Sequence, residues 1–211
     1  MSVDIKRIDQ SHPQYPAALK RQLAKDAPAY ATALGNLELL NRQKLAVFCS
    51  SRCPAELILR CRDLFRLSRA PAITVVSGFH SPAERQCLEI FIRGDLPIII
   101  CPARSLVRMR VRKEYREAFD KGRLLFLSYF RSHRHRSDMQ MALRRNRFVA
   151  AMADRILFIH GAAGSKTEQF CRSILPWNKP LFTLASERNR NLVALGAKPI
   201  STEEIESWNH G

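Results

Sequence analysis

Arg144-Arg145-Asn146-Arg147, then Ile156-Leu157-Phe158-Ile159, then Gly161-Ala162-Ala163-Gly164-Ser165-Lys166-Thr167-Glu168 read in order as a helix, a short buried strand, a glycine-containing turn and the start of a further helix. A turn of this kind presents backbone N–H groups at a helix N-terminus. Arginines beside it supply charge, so the corner suits a polyanion at the C-terminal edge of a parallel sheet.

Outward from that corner the same unit repeats. Short, nearly continuous apolar runs occur at Leu45–Cys49, Ile73–Val76, Ile98–Cys101, Leu124–Leu127, Ile156–Ile159 and Leu181–Thr183. Unbroken apolar runs are expected of parallel strands covered on both faces. Helical segments are predicted between them, near 55–68, 82–93, 105–120, 138–153 and 166–174. Pro54 and Pro82 stand at predicted helix starts, and Ser201 to Glu204 has capping-box spacing for a last helix. The alternation predicts an α/β fold: a doubly wound, mostly parallel Rossmann-like sheet with helices on both faces. Residues 1–40, punctuated by Pro13, Pro16 and Pro28, read as a short N-terminal arm with a helix near Ala17–Lys25 and a turn at Gly35-Asn36. Residues 41–211 read as the Rossmann domain.

The net charge of +16 is unevenly placed: residues 104–147 hold fourteen Lys/Arg against four Asp/Glu, so +10 of the total lies there. Such a field favours nucleic acid, a nucleotide or an acidic surface. The six cysteines include no Cys-x-x-Cys pair, and the six histidines add no zinc pattern, so no metal site is expected. Reduced thiols and the absence of a hydrophobic signal core in MSVDIKRIDQ point to the cytoplasm. No run approaches the about 20 apolar residues of a membrane span.

Ligands of such sheets bind beyond the strand ends, so the segments after each strand carry the candidates. Ser50, Ser51 and Arg52 follow the first run; hydroxyls and a guanidinium suit a phosphate, or the serines simply cap a helix. Ser77-Gly78-Phe79-His80 follows the second. Arg104, Arg108 and Arg112 follow the third, and their spacing puts them on one face of the predicted helix. Tyr129, Phe130 and Arg131 lead into Ser132-His133-Arg134-His135-Arg136 after the fourth, where aromatics among arginines suit a single strand whose bases stack. Phe79 and Tyr129 are the candidate stacking rings. The Gly161–Glu168 turn is not a Walker A loop.

In these segments the chain resembles the DprA/Smf family of bacterial DNA-processing proteins. Ser51-Arg52 is similar to the end of that family's Gly-Ser-Arg, with Ser50 in place of the glycine. Ser77-Gly78 is similar to the start of its longer Ser-Gly motif, whose remainder is replaced by Phe79–Glu84. Arg145-Asn146-Arg147 is similar to its Arg-Asn-Arg, and Gly164-Ser165 with Thr167 to its serine/threonine turn. Tyr15–Leu19 with Gly35–Leu37, and Asn191-Leu192 with Gly196-Ala197, resemble its flanking segments. The resemblance spans about Tyr15 to Ile200. It implies a protein that holds single-stranded DNA without a cofactor or chemistry of its own, a RecA-type recombinase as partner, and a homodimer. The expectation is a minimal member without the winged-helix-like C-terminal domain that many members carry. The implied nucleic-acid-binding set is Ser51, Arg52, Ser77, Gly78, Arg104, Arg108, Arg145, Asn146, Arg147, Gly164, Ser165, Lys166 and Thr167. Gly164–Glu168 also resembles the Gly-Thr-x-x-Glu of LOG-type nucleoside-monophosphate phosphoribohydrolases. In that alternative Arg145 and Glu168 would take catalytic places, and the carboxylate would assist N-glycosidic cleavage.

Overall fold

A computed structural model describes residues 4–67, 73–131 and 139–208. The basic-aromatic stretch Ser132–Arg136 lies outside the described residues. Nine strands form one sheet in the order β1-β2-β6-β5-β4-β3-β7-β8-β9. The six predicted strands appear as β3 (Gln43–Cys49), β4 (Ile73–Ser77), β5 (Ile98–Ile100), β6 (Leu124–Ser128), β7 (Arg155–His160) and β8 (Leu181–Leu184). All six pair in parallel, and β9 (Lys198–Ile200) extends them beyond β8. Two strands fall within the first 40 residues. β2 (Tyr30–Gly35) runs antiparallel to β6, and β1 (Lys6–Asp9) antiparallel to β2.

Because β4, β5, β6, β7 and β8 bury almost every residue, the sheet is covered on both faces, as its apolar runs require. One face packs against α2 (Ala55–Leu67), α3 (Pro82–Arg93), α4 (Lys113–Asp120) and α8 (Thr202–Ser207) through Leu57, Cys61, Cys87, Leu88, Ala118 and Ile205. The other packs against α1 (Ala17–Leu23), α5 (Met139–Met152), α6 (Lys166–Ile174) and α7 (Arg190–Ala194) through Leu19, Phe148, Met152, Phe170 and Leu192. Helix starts follow the sequence signals: Pro82 opens α3 behind a Ser81/Glu84 capping box, and Ser201 accepts the Glu204 N–H to start α8.

The predicted helix over 105–120 is half wrong: only Lys113–Asp120 is helical. Arg104, Arg108 and Arg112 therefore share no helix face. The chain instead turns at Val107-Arg108, where the Met109 N–H donates to the Leu106 carbonyl, and Leu106 and Val111 are both drawn into the core on either side. Ser105 Oγ accepts the Val107 N–H, and Arg108 adopts a left-handed φ of 60° that no right-handed helix admits. The sheet's outer strands are short and poorly suited to further pairing. β1 carries Lys6, Arg7 and Asp9, and β9 has Pro199 at its centre.

Candidate nucleic-acid interface

β3 connects through α2 to β4 on one side, whereas its other neighbour, β7, connects through α6 to β8 on the opposite side. The C-terminal ends of β3 and β7 thus flank a topological switch point, the place where open α/β sheets take their ligands. A register shift at Phe48/Cys49 marks the same spot. Ser50 leaves β3 there, its N–H donating to the His160 carbonyl at 2.9 Å.

Arg145 lies next to the switch point, against the turn after β4. It projects from α5 and is 4 % exposed, and its guanidinium lies across the backbone of Gly78. A Cβ added at Gly78 would stand 1.4 Å from Nη1, so only glycine fits beneath the arginine. Arg145 Nε donates to Asn146 Oδ1 at 2.7 Å. Burial pulls the arginine's pKa down, and the nearby carboxylate of Glu84 opposes that.

Glu84, 6 % exposed, is the hub that sequence reasoning missed. Its Oε2 accepts the N–H groups of His80 and Ser81 at 2.8 and 3.2 Å, and its Oε1 accepts the Cys49 N–H at 3.4 Å. One carboxylate therefore ties the end of β3 to the turn after β4 and opposes the buried arginine. The Ser81-x-x-Glu84 spacing is that of a capping box, a signal for the helix start but not for this second task. His80, exposed at the rim, has its pKa lowered by burial first, then by the repulsion of Arg145 and Arg85.

Ser51 and Arg52 are exposed on the turn after β3. Beside them the Cys53 thiol donates to the Pro54 carbonyl at 3.6 Å, and the proximity of the Cys49 and Cys53 thiols lowers the Cys53 pKa and raises that of Cys49. Across the switch point Ser165 caps α6 by accepting the Glu168 N–H, and its Oγ lies 3.4 Å from Ser50 Oγ. In the turn itself, Gly164 N–H donates to Glu168 Oε2 and Ser165 N–H to the Ala162 carbonyl. Those two donors are spent within the turn. The N–H groups of Lys166 and Thr167, at the first helical positions, are the ones a helix start leaves unpaired. Glu168 Oε1 accepts from Asn191 Nδ2 at 2.8 Å, and these hydrogen bonds hold its pKa below the ordinary carboxylate value, Asn191 contributing most. Both of its oxygens brace the turn. Behind it, buried Asn189 ties His160 to the carbonyls of Ile159 and Leu184.

Further along the edge, Ser128 Oγ donates to the Arg104 carbonyl at 2.7 Å, which seats the 102–112 segment over the end of β6. Arg104 is half-buried there and Arg108 exposed. Ser77 is fully buried, its Oγ accepting the Phe79 N–H.

Arg147 and the two candidate stacking rings, Phe79 and Tyr129, do not join this group as expected. Arg147 stacks on Trp177, its Cζ 5.3 Å from the ring centre. Trp177 lies on the turn leading into β8, toward the opposite edge of the sheet. Phe79 is 5 % exposed and packs edge-on against Phe91, so it offers no ring to a base. Tyr129 is half-buried between Phe130 and Phe148, and burial pushes its pKa up to about 12. Among the described residues, no group of three or more His, Cys, Asp or Glu could hold a metal ion, and no helix is long and apolar enough to cross a membrane.

The frame and the site can be set beside known proteins. The X-ray structure of DNA processing protein A (DprA) from Streptococcus pneumoniae superposes with a TM-score of 0.79 at 18% identity, covering 97% of this chain and 74% of that one. A structure of DNA processing protein A from Helicobacter pylori, concerned with its single-stranded DNA binding mode, gives a TM-score of 0.73 at 20% identity, covering 99% of this chain and 95% of that one. At these identities the likeness is one of fold. No curated protein matches. The model of the family described as DNA recombination-mediator protein A matches residues 6–206, nearly the whole chain, and the chain belongs to that family.

Proposed function

We propose that the protein binds single-stranded DNA along the C-terminal edge of its sheet and holds it for a RecA-type recombinase, without catalysing a reaction. The observation that carries this reading is the switch point itself. Ser51, Arg52 and the start of α6 converge there, the buried Arg145 lies beside them against the Gly78 turn after β4, and the basic 102–112 segment lies further along the same edge. The H. pylori relative's single-stranded DNA binding mode supports the same ligand. Arg52, Arg104 and Arg108 pair with phosphates, joined by Lys166 and the first N–H groups of α6. Arg145 acts from below, shaping the Gly78 turn and adding positive potential. The recombinase and a homodimer are what the family resemblance implies, and the free cysteines fit a place in the cytoplasm.

Fluorescence anisotropy with labelled oligo-dT of about 20–35 nucleotides, across a salt series, tests the proposal. Binding should exceed that of an equal duplex and fall steeply with salt, about 0.7 in log–log slope for each phosphate neutralised. A salt-independent signal, or none at low salt, would overturn it.

A further inference from the structure

At the far end of the same sheet edge, two arginines gather on one tyrosine ring. Arg7 Cζ lies 4.0 Å from the centre of Tyr30, and Arg131 Cζ lies 5.0 Å from it. Arg7 comes from β1, Tyr30 from the start of β2, and Arg131 from the segment after β6. Both arginines are exposed. Among the described residues, no carboxylate lies within salt-bridge distance of either guanidinium. Asp9, which lies close enough to feel Arg7's charge, turns its Oδ1 to the hydroxyl and N–H of Ser11.

The register places this cluster on the ligand side. Thr32 of β2 stands opposite Ser128, the last residue of β6, so Tyr30 lies just beyond the C-terminal end of β6. Hydrogen bonds join β2 to the basic 102–112 segment. Thr32 Oγ1 donates to the Ser128 carbonyl, and Ser128 Oγ donates to the carbonyl of Arg104. In strand order the cluster is four steps from β3, through β4, β5 and β6 to β2. At about 4.8 Å per step that is about 19 Å. At the about 3.4 Å per phosphate of a stacked strand, about six phosphates fit that span.

Resting on the single-strand reading above, we infer that Arg7, Tyr30 and Arg131 form a second phosphate subsite that receives the same DNA strand about 19 Å from the switch point. Two like charges held against one ring repel each other, and a phosphate placed between them relieves that repulsion while accepting from both guanidinium forks. Tyr30 acts as the platform that keeps both forks in place rather than as a stacking surface for a base.

The test is anisotropy of labelled oligo-dT from 4 to 20 nucleotides with the Arg7→Ala/Arg131→Ala double variant, whose altered side chains are exposed. A charge-matched control is Arg66→Ala/Arg93→Ala, at exposed positions near the C-terminal ends of α2 and α3. Loss of this one phosphate contact should lower the salt slope for long oligomers by about 0.7 and weaken their binding about tenfold, with little change for the shortest and none in the control. Unchanged slope and affinity in the double variant would overturn the subsite while leaving the single-strand reading intact. So would equal losses at every length, or an equal loss in the control. A wild-type protein that binds no oligomer would overturn both.

Discussion

The guanidinium of Arg145 occupies the volume that any side chain at position 78 would need, with Nη1 1.4 Å from where a Cβ at Gly78 would sit. The glycine of the turn after β4 and the buried arginine of α5 are thus one structural unit, although 67 positions apart in the chain.

Gly78→Ala should dislodge Arg145. Overpacking a tight site costs about 1–3 kcal/mol. The displaced guanidinium no longer holds the turn between β4 and α3, so single-strand affinity should fall along with stability. Urea midpoints and anisotropy on one preparation check this, and a variant matching wild type in both would show that the arginine has another resting place.

Glu84→Gln keeps the shape but removes the charge facing Arg145 and weakens the cap of α3. The expected loss lies between about 1 kcal/mol for a cap and the about 3–5 kcal/mol of an uncompensated buried charge. Denaturant unfolding measures it, and a loss below the cap value would mean that solvent or another group supplies the compensation.

Acidification should tighten DNA binding through His80. Its pKa is already pushed down in the free protein, so the ring is neutral at pH 7.5. A phosphate nearby favours the protonated ring and raises its pKa. Affinity should therefore rise as pH falls through the window below 6.5, by up to about tenfold per unit of that rise. In His80→Gln this part of the pH dependence should flatten, while the rest persists.

Glu168→Gln should loosen the turn before α6 rather than abolish a reaction. The Glu168 carboxylate is held below 4.5. A depressed carboxylate contributes its full stabilisation above the unfolded value and loses it as pH falls through the folded one. The stability gap between wild type and variant should thus be open at pH 7 and close as pH drops below 4.5. Chromatography of nucleoside monophosphates incubated with wild-type protein should show no released base; release that Glu168→Gln abolishes would restore a catalytic role.

Where burial alone determines structure, sequence was a sufficient guide. The runs at 45–49, 73–76 and 156–159 are apolar without interruption because both faces of those strands are covered, and each formed the strand expected of it. The 104–112 segment was misread because arginines every fourth residue imitate a helix face. The helix is broken there by the left-handed backbone of Arg108, with Leu106 and Val111 anchored in the core on either side of it. β2 escaped notice because Ala31, Thr32 and Ala33 are small and carry little hydrophobic signal; their partner β6 makes them a strand. Arg145 stood out as charged, which suggested a surface role, whereas its burial depends on a glycine from another element. Arg147, two residues on, points to Trp177 for the same reason: helix geometry turns neighbours to different sides.

The two ends of the sheet have a consequence for how the molecule can associate. A strand joining at β9 would meet Pro199, which has no N–H to give, and one joining at β1 would have to lie beside Lys6, Arg7 and Asp9. Growth by adding strands, whether from a sister molecule or from a misfolded neighbour, is disfavoured at both flanks. The two outermost strands therefore work against edge-to-edge polymerisation of the sheet.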